Sequence, residues 1–154
     1  MGKQMKAEFM LNPIVTENTI WVVNVGRVRV GVNSTGTWSI DLNENVRAVK
    51  SPEDAMLLLP ILELGRAHFF DGLKRIAREF PDFENQVVAF PENLLIEFAL
   101  DSSISEYWPS KALSWIEGAP ALVSTFSSLM KGVIDKKWAT QSVKHRIKRM
   151  IKDV

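Results

Sequence analysis

The chain has 154 residues, a net charge of +1 and no cysteine, with 46% hydrophobic and 24% charged residues. This length suits one domain with its own core, and the composition excludes disordered, collagen-like and low-complexity proteins. Without cysteine, the chain forms no disulfide, thiolate metal site or thiol nucleophile. No apolar stretch approaches the ~20 residues of a membrane-spanning helix and no signal-peptide pattern is present, so we expect a cytoplasmic protein without a membrane partner.

The charge is distributed unevenly along the sequence. Residues 131–154 hold eight Lys and Arg residues against two Asp residues, a net charge of +6. The first 130 residues hold eleven basic and sixteen acidic residues, a net charge of −5. An acidic body with a basic tail often marks a surface that contacts another macromolecule.

The first fifty residues have the pattern of an antiparallel sheet. Residues 20–25 are rich in β-branched and aromatic side chains, and valines alternate with other residues over 28–32. Residues 33–36 have turn chemistry. After this turn, the inward positions are expected to be Trp38, Ile40 and Leu42, with Ser39 and Asp41 facing solvent. With a further strand near residues 8–11 or 14–17, the pattern predicts a meander of three or four strands.

The periodicity changes from strand to helix at Ser51. This serine precedes Pro52 and two acidic residues, a combination typical of a helix N-terminus. We therefore predict that Ser51 caps a helix that begins at Pro52. Because proline inside a helix removes a backbone donor, Pro60 predicts either two helices, at 52–59 and 61–79, or one kinked helix.

Four further helices are predicted to begin near Pro91, Ser105, Pro120 and Thr140. Each has one apolar stripe, and these stripes are expected to bring together Trp108, Trp115, Phe126 and Ile147 in one core. Short helices with one apolar face each, joined by short loops, are typical of a HEAT-type array.

The sequence therefore predicts an α+β fold in a single domain over residues 1–154. An N-terminal antiparallel β-meander (residues 6–50) is expected to pack on a helical layer (residues 51–154) that ends in short HEAT-like hairpins.

The C-terminal third carries a family resemblance. Tyr107-Trp108-x-x-x-Ala112-x-x-Trp115, followed by Gln141-x-x-Lys144-His145-Arg146-Ile147-x-Arg149, resembles the C-terminal helix pair of small bacterial immunity proteins. Those proteins are encoded beside polymorphic or contact-dependent toxins and neutralise them by binding. The resemblance implies a protein-binding function with a cognate toxin domain as partner. No binding residue is carried over, because the toxin-facing surfaces of these proteins share no motif.

Catalytic and metal-binding patterns are weak throughout the sequence. His68 and Asp71 share a helical face, as two metal ligands would, but no third ligand is near, so a partly buried histidine bonded to a carboxylate is favoured. His145 lies between two cations, which would repel a metal. Ser128 and Lys131 match an S-x-x-K pattern without its companion motifs. We therefore predict no enzyme activity, catalytic residue, metal site or cofactor.

The basic tail is the strongest functional signal. Its candidate partner-binding residues are Lys144, Arg146, Lys148 and Arg149. They could contact an acidic protein or, as the alternative, nucleic-acid phosphates. A third interpretation is a solvated helix face whose cations suit the C-terminal end of the helix dipole.

The acidic body provides a second set of candidate binding residues. Asp82 and Glu84, with Glu92 and Glu97, could mimic phosphates in an inhibitor of a nucleic-acid-cutting toxin. The sequence alone does not choose between the acidic and the basic surface.

Overall fold

The structure, a computed structural model that describes residues 5–152, begins with a five-stranded antiparallel sheet. The strands are β1 (Ala7–Thr16), β2 (Thr19–Val25), β3 (Val28–Asn33), β4 (Trp38–Leu42) and β5 (Asn45–Ala48), paired in chain order. The predicted meander is confirmed, but the predicted number of strands is wrong. Both candidate N-terminal strands belong to β1, and β5 is an additional edge strand. Residues 1–4 and 153–154 of the predicted domain lie outside the described residues.

The turn predicted at residues 33–36 joins β3 to β4. The side-chain oxygen Oδ1 of Asn33 accepts the backbone N–H groups of Thr35 and Thr37, both at 3.0 Å. Gly36 has φ 91°, in the left-handed region that glycine adopts without strain. The asparagine and the glycine therefore set this turn, as the sequence indicated.

The sheet packs one face against the helices, and its opposite face carries a small cluster of its own. Trp21 lies opposite Gly31 on this outer face and is only 4% exposed. Its indole N–H donates to the hydroxyl of Thr16 at 3.0 Å, and the guanidinium of Arg29 lies over its ring at 4.9 Å. Arg29 also binds Asp41 at 2.6 Å across the β3–β4 pair.

The prediction that Asp41 faces solvent while Leu42 faces the core is wrong. Asp41 is 7% exposed because it pairs with Arg29, whereas Leu42 at the end of β4 is exposed. The alternation of apolar and polar residues does not predict these exposures, because an ion pair can bury a carboxylate that would otherwise stay in water.

Helical structure occupies the described chain after residue 51. A 3-10 helix (Pro52–Leu64) precedes α1 (Arg66–Glu79), a 3-10 turn (Pro81–Phe83), α2 (Glu84–Val88), α3 (Glu92–Ser102), α4 (Tyr107–Glu117), α5 (Leu122–Ile134) and α6 (Gln141–Lys152). The predicted break at Pro60 is wrong. The chain changes from 3-10 to α-helix at Gly65, whose φ of 80° no α-helical residue adopts.

The N-terminus of the 3-10 helix is stabilised by a capping box. Ser51 is the N-cap residue, as predicted, with extended backbone angles. The carboxylate of Asp54 accepts the backbone N–H groups of Lys50 at 2.9 Å and Ser51 at 3.1 Å, and also the Ser51 hydroxyl at 3.1 Å. These bonds, first of all the one from Lys50, hold the pKa of Asp54 below its ordinary value.

One cluster of buried side chains extends from the sheet to α6. Trp115 is 1% exposed, and its indole N–H donates to the carbonyl oxygen of Leu62 at 3.0 Å. Phe126 and Ile147 are buried in the same cluster, and half-buried Trp108 packs against it. The predicted shared core is confirmed. The α+β fold is confirmed too, with α3 packed on α4 and α5 on α6 as consecutive hairpins. That these hairpins form a HEAT-type repeat stays a prediction.

Candidate binding surface

Helix α6 has a narrow apolar stripe and a broad cationic surface. Val143 and Ile147 are its buried residues, and the helix packs against α4 and α5. Thr140 begins the helix as predicted, because its hydroxyl accepts the backbone N–H of Val143 at 3.3 Å. Between Gln141 and Lys152 the helix carries five Lys and Arg residues and no acidic residue.

Four cationic or ionisable side chains form what we call the basic face of α6. They are His145, Lys148, Arg149 and Lys152. All four are exposed, and they line a shallow concavity of about 370 Å³. The spacing of i, i+3, i+4 and i+7 places them on one side of the helix. Within residues 5–152, no carboxylate lies at ion-pair distance from them.

The basic face is not explained by stability. Like charges four residues apart on a helix repel each other by a few tenths of a kcal/mol, as Lys148 and Lys152 do here. The helix dipole favours the two cations of the last turn, Arg149 and Lys152, by a similar amount. Because these small contributions oppose each other, the four side chains contribute little to folding and are available for a partner.

The two remaining basic candidates of α6 are not among these four residues. Arg146 makes an ion pair with Glu117 of α4 at 2.9 Å, so its charge is already matched within the molecule. Lys144 is half-buried and lies one turn before Lys148, at the edge of the basic face. Of the four basic residues predicted from the sequence, the structure therefore brings Lys148 and Arg149 together, beside His145 and Lys152.

The acidic candidates form no comparable cluster. Asp82 and Glu84 are exposed at the starts of the 3-10 turn and of α2, where the helix dipole favours acidic side chains. Glu92 is held by Arg66 at 3.0 Å, and Glu97 is half-buried on α3. The acidic residues are therefore dispersed, and those on α3 are engaged or partly covered.

The residues considered for catalysis remain apart from one another. His68 is exposed, and its ring lies edge-on to Phe9 with centroids 6.4 Å apart. The predicted partly buried histidine is wrong, because His68 lies on the solvent side of α1, next to buried Phe69. Ser128 is exposed within α5. Over residues 5–152, no three His, Asp or Glu side chains group at metal-binding distance.

A groove between α1 and the start of α3 was not indicated by the sequence. It has a volume of about 430 Å³ and is lined in part by Arg66, Phe70, Val88 and Leu94. The guanidinium of Arg66 lies over the Phe70 ring at 4.7 Å and binds Glu92. No sequence signal joins Arg66 to Glu92, which lies 26 residues further along.

Comparison of the chain with protein-family models, curated proteins and solved structures finds no match. Among the described helices, none combines the length and the apolar character needed to cross a bilayer. The basic face of α6 remains the candidate binding surface.

Proposed function

We propose that this chain is a non-enzymatic, cytoplasmic binding protein, most specifically an immunity protein that neutralises a cognate toxin domain by covering part of its surface. The observation that carries the proposal is the basic face of α6, whose charges have no partner among the described residues. The resemblance of the C-terminal helices to small bacterial immunity proteins supports the same function.

The basic face suits an acidic surface of a protein partner. Opposite charges on two surfaces accelerate association and select the correct partner. The face lies on a helix that is packed on α4 and α5, so the backbone that carries its cations is in place before the partner arrives. A preformed surface loses less conformational entropy on binding than a flexible one. Occlusion of this kind requires no bond to be made or broken.

Nucleic-acid binding is the second candidate, because unpaired cations also suit phosphates. Against it, the four side chains of the basic face can neutralise only a few phosphates, and the first 130 residues carry a net charge of −5. Phosphate contacts give a steep loss of affinity with salt, with a logarithmic slope of about −0.9 per neutralised phosphate. A salt titration with duplex DNA of mixed sequence therefore separates the two functions.

We expect a gene adjoining that of this chain to encode the toxin domain, and the direct test combines that domain with a triple charge reversal. Lys148→Glu, Arg149→Glu and Lys152→Glu together should weaken binding by about tenfold or more in calorimetry, because three exposed ion pairs of up to ~1 kcal/mol are replaced by repulsion. The matched control reverses three exposed cations elsewhere, with Arg27→Glu, Lys74→Glu and Arg78→Glu.

The control variant has the same net charge as the triple reversal and should bind the toxin domain within about twofold of the wild type. Equal weakening in both variants would mean that only net charge matters and that the basic face is not the contact surface. Binding of DNA with a steep salt dependence, and no binding of the toxin domain, would favour the nucleic-acid function instead.

A further inference from the structure

Arg146 differs from the other cations of α6 because its side chain makes an ion pair with another helix. We infer that Arg146 is a positioning residue, which fixes the rotation of α6 on α4 and thereby directs the basic face toward the partner. This inference rests on the proposed function. It reassigns a residue that the sequence offered as a partner contact.

The guanidinium of Arg146 bridges two turns of α4. One terminal nitrogen, Nη2, donates to the carboxylate of Glu117 at 2.9 Å and to the hydroxyl of Ser114 at 3.1 Å. The other, Nη1, donates to the backbone carbonyl of Ser110 at 3.3 Å. These three acceptors lie at i, i+4 and i+7 on one face of α4. A planar group with five donors can satisfy all of them, whereas a lysine ammonium cannot match this geometry.

The apolar stripe of α6 leaves room for such a polar contact in setting its rotation. Val143 and Ile147 are buried one turn apart, and two further apolar residues of the last turn are half-buried against the core. Successive helical residues are about 100° apart, so Arg149 lies about 60° around the axis from Arg146. A rotation of that size would turn Arg149 toward α4 and part of the basic face out of reach of the partner. The polar contacts of Arg146 lie beside the apolar stripe and resist this rotation.

The alternative is that Arg146 acts only as one more positive charge. The two roles predict different second substitutions that restore binding to a charge-reversed variant. If Arg146 positions the helix, exchanging the charges of the pair, with Arg146→Glu and Glu117→Arg, restores a contact between α6 and α4. If it acts through charge alone, any compensating cation restores binding equally, whatever its partner.

The experiment measures binding of a synthetic helical peptide that carries one row of glutamates at i, i+3, i+4 and i+7. Fluorescence anisotropy at low ionic strength gives its affinity for each variant. The single variants are R146E and R149E, and each double variant adds E117R. Both double variants have the wild-type net charge, but only R146E/E117R places opposite charges at residues 146 and 117 and keeps Arg149 on the basic face. Circular dichroism and hydrogen exchange of the α6 amides report folding and the docking of α6.

Each single variant is expected to weaken peptide binding by about fivefold. The R146E/E117R variant should return to within about twofold of the wild type and regain the amide protection of α6, while R149E/E117R stays about fivefold weaker.

Equal affinity of the two double variants, or unchanged α6 protection in R146E, would overturn the positioning role of Arg146. Wild-type affinity in R149E would instead overturn the basic face as the contact surface, and with it that part of the proposed function. In that case the amide protection of R146E and R146E/E117R still decides whether Arg146 positions the helix.

Discussion

Helices α4 and α6 lie side by side and have similar lengths of 11 and 12 residues, but they differ in how much of each is buried. α4 buries five residues, among them Trp115, whereas α6 buries only Val143 and Ile147. The sequence of α4 is therefore constrained by packing on several sides. The outer surface of α6 is free of that constraint, so its charges are available for binding.

Removing the buried tryptophan of α4 tests the packing of that helix. Trp115→Ala should lower the free energy of unfolding by about 3–5 kcal/mol, because it loses burial, leaves a cavity and removes the hydrogen bond to Leu62. Urea denaturation measures the change. Trp108→Ala is the control and should cost less, because Trp108 is only half-buried. A loss below about 1 kcal/mol for Trp115→Ala would contradict the packing described for α4.

Gly31, on the outer face of the sheet, lies where the backbone and Trp21 pack closely. A methyl group at Gly31 would lie directly against the carbonyl oxygen of Ile20 and the indole of Trp21. Gly31→Ala should therefore destabilise the protein by about 1–3 kcal/mol in thermal or urea unfolding. Gly132 on α5 is the matched control, because a methyl group there meets nothing. Gly132→Ala should be neutral or stabilising by up to ~1 kcal/mol.

The capping box at Ser51 is expected to have an intermediate effect. Ser51→Ala should cost about 1 kcal/mol in urea unfolding, because it removes the N-cap hydroxyl that binds Asp54. Ser124→Ala is a matched control, since Ser124 is exposed on α5. An equal effect of the two substitutions would contradict the capping role of Ser51.

The same box makes stability depend on pH in the acid range. The pKa of Asp54 is lower in the folded than in the unfolded state, so its contribution to stability is fully present above the unfolded pKa. This contribution is lost as the pH falls through the lowered folded pKa. NMR titration of the carboxyl should give a midpoint below about 3.9, the ordinary value for aspartate. A midpoint above that value would contradict the hydrogen bonds from Lys50 and Ser51.

Charge reversal on the basic face should have the smallest effect on stability for each residue changed. The combined Lys148→Glu, Arg149→Glu and Lys152→Glu variant should unfold within about 0.5 kcal/mol of the wild type for each substitution, because the three side chains are exposed. Urea denaturation of this variant, measured beside Trp115→Ala, compares the two helices directly. A loss as large as that of Trp115→Ala would mean that the basic face is part of the packed structure.

Much of the fold could be predicted because its signals are local. Valine alternation, the Asn33 turn and the Ser51 cap each lie within a few residues, and the structure confirms the elements they indicated. Strand β5 was missed because most of its four residues are exposed and show no alternation. The break at Gly65 was missed because glycine adopts positive and negative φ with similar ease, so the sequence alone does not reveal its conformation.

Part of the candidate surface could also be predicted, because that part has a local signal in the sequence. The positive charge of α6 is a local property of the sequence, and the periodicity places Lys148 and Arg149 on its outer side. The role of Arg146 depends on Glu117, which lies 29 residues earlier. A pair so distant has no signature in a single sequence, so Arg146 could not be separated from its neighbours before the helices were placed together.

Protection of growing cells tests most directly the proposal that the basic face of α6 covers a toxin surface. Bacteria that produce the toxin domain expected from the adjoining gene should grow when they also produce the wild-type protein or the control with reversed Arg27, Lys74 and Arg78. The variant with reversed Lys148, Arg149 and Lys152 should fail to protect them, although it accumulates to the same level as a folded protein. Full protection by that variant, or no protection by the wild type, would contradict the account.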